Sequence, residues 1–181
     1  MEKYILSLLN GHIPTRPMDR FLIERYGKKG LMGVEIGVLR GEHALTLLKR
    51  LHVKRLYLVD PYACYGKYPR KPFKQKYIDD ARKAAYKKFS KDARVNLVYE
   101  FSKEAASKIP DNLDFVYIDG NHTYEYVRDD IENYYPKVKH GGVLGGHDFS
   151  GRWPGVQRAV VEFIQGKNWY LDYPDWWVVK E

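Results

Sequence analysis

Short apolar runs alternate along this chain with longer stretches in which apolar residues return at helical spacing. The first run, Val34-Glu35-Ile36-Gly37-Val38-Leu39, ends in a turn punctuated by Gly37 and Gly41, and a helical pattern over residues 42–51 follows at once. Further β-rich runs come at residues 55–59, 95–99, 113–118 and 142–146, again with helical patterns between them. Alternation of that kind predicts a parallel sheet with crossover helices. The stretch after Thr123 puts Tyr124, Val127, Ile131 and Tyr134 on one face, and the one after Pro154 does the same with Val156, Ala159, Val160 and Phe163. Pro154 suits the first helical turn. Residues 168–171 and 176–180, separated by Asp172-Tyr173-Pro174-Asp175, predict a closing hairpin.

Residues 1–30 read as an accessory helical segment: Tyr4, Ile5, Leu8 and Leu9, then Phe21, Leu22, Arg25 and Tyr26, are interrupted by Pro14 and Pro17 and ended by Gly27-Lys28-Lys29-Gly30. Residues 31–181 read as one domain, because 181 residues at 44% apolar content suffice for a single core and are short for two. Inside it, residues 61–91 form an insertion leaving the end of the second run. Residues 62–91 hold ten Lys or Arg against Asp79 and Asp80 alone, and the front interleaves Tyr62, Tyr65, Tyr68 and Phe73 with Lys67, Arg70, Lys71 and Lys74. Its front suits a lid or substrate loop. Its rear, residues 77–89, reads as a solvated basic helix packed through Ile78, Ala81, Ala85 and Phe89.

One cysteine, Cys64, excludes an internal disulfide, no secretory leader is recognisable, and the apolar stretch at residues 4–9 is far too short to cross a bilayer. A cytoplasmic protein with no membrane partner is expected. The formal charge of +8 favours an anionic partner.

The candidate chemistry sits at the ends of the runs. Gly37 can take positive φ where the chain leaves the first run, and Gly41 lets a helix and a ligand approach. Asp60 ends residues 55–59, where a carboxylate can accept ribose hydroxyls, so the two turns together form a nucleoside site. Val38-Leu39-Arg40 between the glycines depart from G-x-G-x-x-G, which disfavours an NAD-binding oxidoreductase. Asp119 ends the fourth run and is followed by Gly120, Asn121 and His122. His147 and Asp148 end the next, after Gly141, Gly142, Gly145 and Gly146. Adjacent run ends thus present Asp119, His122, His147 and Asp148 to one cleft, with Arg152 and Trp153 close by in sequence.

On Glu35, Gly37 and Gly41, on Asp60, and on Ile118-Asp119-Gly120-Asn121-His122-Thr123-Tyr124 followed by Pro136, Gly141-Gly142 and His147-Asp148, the chain resembles the class I S-adenosylmethionine-dependent methyltransferases. Within them it is most similar to the small-molecule and sugar O-methyltransferase group, over residues 30–181. The resemblance implies a Rossmann-like α/β fold: a seven-stranded, mostly parallel sheet with the last strand antiparallel and helices on both faces. It implies S-adenosylmethionine as cofactor, with the turn of Glu35, Gly37, Val38 and Gly41 facing its methionine part, Asp60 at the ribose and Asp119 also among the cofactor-binding residues. Ser102 or a neighbouring backbone group would meet the adenine edge, with Phe101 against the ring. Ser102 also reads as the N-cap of a helix over residues 103–108.

Methyl transfer from a sulfonium is an in-line displacement, so alignment and deprotonation of the acceptor are what the residues must supply. In the resembling metal-dependent members, acids at these two strand ends hold a divalent cation, which implies Asp119, His147 and Asp148 as ligands. Carboxylates suit Mg²⁺, while His147 in place of a second acid moves preference toward softer ions such as Mn²⁺. A metal-free alternative makes His147 or His122, beside Asp119, the catalytic base. A purely structural one has Asp148 capping the following turn and His122 the helix near Thr123. The acceptor expected is a small hydroxylated molecule, sugar-like or anionic. The tyrosine- and lysine-rich loop leaves nucleic-acid binding or RNA modification as the competing class.

Overall fold

The computed structural model describes residues 15–64 and 74–181. Tyr4, Ile5, Leu8, Leu9 and Pro14 of the leading segment, and Tyr65, Lys67, Tyr68, Arg70, Lys71 and Phe73 of the insertion, lie outside the described residues. The elements run α1 (Pro17–Tyr26), β1 (Leu31–Ile36), α2 (Glu42–Arg50), β2 (Val53–Val59), α3 (Gln75–Phe89), β3 (Val95–Val98), α4 (Ser102–Ala105) with a 3₁₀ turn at Ala106–Lys108, β4 (Leu113–Ile118), α5 (Tyr124–Tyr134), β5 (Val138–Gly146), α6 (Pro154–Phe163), β6 (Trp169–Asp172) and β7 (Asp175–Val179).

The strands form one sheet in the order β3-β2-β1-β4-β5-β7-β6. The pairs from β3 through β5 are parallel. β7 enters between β5 and β6 and runs antiparallel to both. The expected seven-stranded Rossmann-like sheet with the last strand reversed is the fold observed. β5 starts at Val138, four residues ahead of the apolar run that marked it. Lys139-His140-Gly141-Gly142 has no apolar alternation to betray a strand, and the register with β4 slips across this stretch.

Both faces of the sheet are covered, which is why its central strands are apolar on both sides. In β4, Phe115 and Tyr117 join a core cluster with Met18 and Leu22 of α1, Leu47 of α2 and Ala81 and Phe89 of α3. Val116 and Ile118 join the opposite cluster with Ala105, Val127 and Ile131 of α5 and Val160 of α6. The rear of the insertion is the helix α3, whose buried residues are Ile78, Ala81, Ala85 and Phe89, the four at helical spacing in the sequence. α1 contributes fully buried Met18 and Leu22, so it packs as part of the domain core. Among the described residues no helix is long and apolar enough to cross a membrane.

Strand order reverses at β1: successive crossovers go one way to β2 and β3, and the other way to β4 and β5. That reversal leaves a crevice beyond the carboxyl ends of β1 and β4, the place where open α/β sheets take ligands.

Candidate active site

At the end of β1 the chain must turn beneath the loop that leaves β4. Gly37 has φ 87°, and a Cβ on it would stand 2.2 Å from the Asp119 carbonyl oxygen and 2.6 Å from the Gly120 Cα. Only glycine fits there. Gly41 has φ 78°, and a Cβ there would meet the Phe89 ring at 2.3 Å. The room it leaves is filled by the Phe89 ring of α3. The turn is fastened by Asp60, whose Oδ2 accepts the amides of Val38 and Leu39, each at 2.9 Å, and whose Oδ1 accepts that of Tyr62 at 2.8 Å. Burial pushes the Asp60 pKa up, against those three amides.

A cavity of about 280 Å³ opens over this turn. Glu35, Gly37, Val38 and Asp60 line it from β1 and β2, Cys64 and Ile78 from the insertion, and Arg16, Asp119 and His122 from the far side. Glu35 is 1% exposed. Its Oε1 meets the Nδ1 of His43 at 3.1 Å, while His43 Nε2 meets Asp19 of α1 at 3.0 Å. Burial alone would lower the His43 pKa, but the Glu35 charge and the bonds to both acids outweigh it and raise it to about 9. Glu35 Oε2 is buried with no hydrogen-bond partner among the described residues. A buried carboxylate oxygen without a donor calls for one.

On the other side the groups are side chains from separate elements. The Asp119 Oδ2 accepts Arg16 Nη1 at 2.7 Å, and the same nitrogen donates to the Tyr117 hydroxyl at 3.0 Å. Tyr117 in turn donates to Asp175 Oδ1 at 3.0 Å, and Asp175 Oδ2 accepts the Met18 amide at 3.0 Å. His122 Nε2 lies 2.7 Å from Asp148 Oδ2 and 3.8 Å from Asp119 Oδ1, and its ring stacks on Trp153 at 4.3 Å. Burial would raise the Asp119 pKa; the Arg16 charge, with His122 and His147, overcomes this and holds it at about 2. Asp148 is likewise held below the usual carboxylate range, because His122 and His147 outweigh its burial. His122, close to both acids, is raised to about 9 against its own desolvation.

Asp119, His122 and Asp148 each offer a ligand atom within 4.8 Å of the others, a geometry that can hold a metal ion. His147 stands just outside this trio: its Nδ1 is 3.2 Å from Asp148 Oδ1 and its Nε2 is 3.8 Å from Asp175. Ser102 is set apart. It is the first residue of α4, with Phe101 at the cap, its hydroxyl donates to Asp130, and it lines a separate depression with Phe101 and Tyr126. Of the four non-glycine residues with positive φ among the described residues, Leu39, Tyr62 and Asp148 stand around the cleft, backbone strain of the kind that collects at functional sites.

Sequence reasoning missed Arg16, His43, Asp19 and Asp175. Arg16 precedes a helix-starting proline and Asp175 follows one in a turn; neither position has a spacing that points to the cleft. His43, one residue into the helix after the glycine turn, carried the only usable signal.

The methyltransferase domain family matches residues 34–149. An uncharacterised protein of Acanthamoeba polyphaga mimivirus is 26% identical over 157 residues, covering 81% of this chain and 66% of that protein, so the chain spans slightly less than two thirds of that relative. Among solved structures, the O-methyltransferase NovP superposes with a TM-score of 0.63 at 18% identity, covering 87% of this chain and 74% of that one. The calicheamicin methyltransferase CalS11 gives 0.66 at 14% identity, covering 99% and 85%. At these identities the structural likeness speaks for the fold. With more than half of its length matched by the family, and with the glycine turn, the Asp60 clasp and the switch-point cavity in place, the chain belongs to the methyltransferase family and carries a class I S-adenosylmethionine-dependent methyltransferase domain.

Proposed function

We propose that this protein transfers the methyl group of S-adenosylmethionine to a hydroxyl of a small acceptor that is sugar-like or anionic. The observation that carries the reading is Asp119 and His122 lining the cavity whose floor is the Gly37 turn, with Asp148 against His122. The cofactor fits the residues present. Glu35 Oε2 lacks a donor that an ammonium group would provide, and Asp60 Oδ1 has a lone pair left for a ribose hydroxyl after accepting the Tyr62 amide, Oδ2 being taken by the Val38 and Leu39 amides. The bound cofactor supplies a methyl group on a positively charged sulfur. What the chain adds is alignment: Gly37 and Val38 set the floor, and Asp119 stands between the nucleoside end of the cleft and the acceptor end.

Asp119, His122 and Asp148 would hold a divalent cation, Mg²⁺ or Mn²⁺, and the chemistry such an ion supplies is a lower pKa and a fixed position for the acceptor hydroxyl. Without an ion, the same cluster supplies a histidine held on a carboxylate: His147, or His122 in its neutral form above its raised pKa of about 9, would take the proton. Support for a sugar-like, anionic acceptor comes from the basic front of the insertion and from the likeness to CalS11, which is described as a TDP-rhamnose 3′-O-methyltransferase. The charge of +8 is the observation behind a nucleic-acid acceptor as second reading.

The test is methyl transfer from labelled S-adenosylmethionine to a panel of hydroxylated acceptors, with and without excess chelator. Transfer lost in chelator and restored by Mn²⁺ or Mg²⁺ selects the metal route. Full transfer in chelator, lost in His122→Ala or His147→Ala, selects the base. A steep salt dependence, near −0.7 in log affinity against log salt per single-strand phosphate neutralised, would select nucleic acid. Wild-type protein that binds neither S-adenosylmethionine nor its demethylated product at millimolar concentration would end the reading.

A further inference from the structure

Arg16 precedes the 34–149 stretch that the family matches, and among the described residues lining the cavity it is the one arginine or lysine. The remainder of the lining is rich in carboxylates: Glu35, Glu42, Asp60 and Asp119. A zwitterionic amino-acid group would find many acceptors for its ammonium and few donors for its carboxylate. Most of the backbone amides of the glycine turn are already given away. The Gly37 amide is given to the Val59 carbonyl, the Gly41 amide to the Val38 carbonyl, and the Val38 and Leu39 amides to Asp60. The two imidazoles that line the cavity are also engaged, His43 between Glu35 and Asp19 and His122 between Asp148 and Asp119.

The guanidinium differs. Both bonds it makes leave from Nη1, to Tyr117 and to Asp119, so Nε and Nη2 have no hydrogen-bond partner among the described residues. That unspent edge is a planar pair of donors, the geometry that accepts a carboxylate through two parallel bonds. Its side chain is only 27% exposed, and Tyr117 fixes it from below through a hydroxyl bond and ring contact at 5.3 Å. It sits at the correct end as well. Asp60 follows β2 and Asp119 follows β4, with β1 between, so two strand spacings of roughly 10 Å in total separate the ribose acid from the acid that Arg16 touches.

We propose that Arg16 binds the α-carboxylate of the methionyl group of S-adenosylmethionine, so that the segment ahead of β1 completes the cofactor site. The proposal rests on the cavity being the S-adenosylmethionine site and adds a binding residue outside the matched family region. It rivals the first turn of α2, which begins at Glu42 beside the same cavity and also offers backbone donors.

Calorimetry decides it with two ligands: S-adenosylhomocysteine, and the analogue in which only its α-carboxylate is replaced by hydrogen. Arg16→Gln should weaken S-adenosylhomocysteine about tenfold to a hundredfold and leave the analogue within about twofold of wild type. Arg16→Lys, which keeps the charge and loses the fork, should recover part of the affinity for the acid ligand alone. Thermal melting of both variants checks that the fold survives; if Arg16→Gln does not fold, the Arg16→Lys comparison carries the test. Equal losses for both ligands, or no loss for either, would overturn the proposal and leave the carboxylate to the α2 terminus. Wild-type protein that binds neither ligand would overturn the cofactor reading itself, and the role of Arg16 with it.

Discussion

The two sides of the cleft are built by different means. Beyond β1 and β2 the wall is backbone: a glycine turn whose amides are clasped by Asp60, with Gly37 pressed against the Asp119 carbonyl. Beyond β4 and β5 it is side chains, contributed by Arg16 ahead of α1, Asp119 and His122 after β4, and Asp148 after β5. A backbone wall fails sterically when a residue changes, taking shape and binding with it. A side-chain wall loses chemistry first, because its groups hang from elements that are secured elsewhere.

That contrast is broken most directly at Gly37. Gly37→Val places a branched side chain at φ 87° into the backbone of residues 119–120, and should cost about 3 kcal/mol or more together with cofactor binding, read by thermal melting and by calorimetry with S-adenosylhomocysteine. A folded Gly37→Val protein with wild-type affinity would show that the close packing of the two strand ends is not needed. Next comes His43, which sits beneath the backbone wall. His43→Gln leaves Glu35 and Asp19 facing each other without the imidazolium and should cost about 3 kcal/mol. The folded pKa of about 9 stands above the ordinary histidine value, so the stabilisation is complete below about pH 6.5 and is lost as pH rises through 9. Melting temperature should therefore fall over that interval in wild type and fall less in His43→Gln; parallel curves would remove the charged triad from the account.

On the side-chain wall, Asp119→Asn should lower methyl transfer about a hundredfold or more while changing the affinity for S-adenosylhomocysteine by much less. Equal losses in transfer and affinity would place Asp119 with the backbone wall in its effect. The smallest effect is expected at Ser102. Ser102→Ala removes the donor to buried Asp130 and should cost about 1 kcal/mol of stability. Since Ser102 lines a separate depression, cofactor affinity should stay within about twofold of wild type. A tenfold loss would bring the residue to the adenine edge after all.

The same contrast explains how much could be read before the structure was known. The backbone wall was legible because its parts are contiguous: Glu35 through Gly41 form one strand and turn, and Asp60 closes the next. Seven apolar runs with helical stretches between them marked the sheet, and the four apolar positions of α3 marked its buried face. The purpose of Gly41 was not legible, since the ring that fills its space, Phe89, lies at the far end of the insertion. Nor was Arg16. Its partners Tyr117 and Asp119 lie across the sheet, and a lone arginine between two prolines has no periodicity to set it apart. Asp119, His122, His147 and Asp148 were found together because they end or follow two adjacent strands; in space His122 completes the trio with the acids, and His147 stands against Asp148 with its far nitrogen near Asp175.

The bond between the Met18 amide and Asp175 joins residues 157 positions apart, and the chain that carries Arg16 is held in place by it. Asp175 begins the strand that is last in sequence yet interior in the sheet, with β5 on one side and β6 on the other. Its insertion is a contact of very high sequence separation, the sort that forms late and slowly. On a ribosome adding roughly 5–20 residues per second, α1 emerges long before its anchor exists. The nascent domain therefore passes through a period in which the glycine turn and Asp60 are already made while the segment carrying Arg16 is unanchored, and the cleft is complete only when the final hairpin closes.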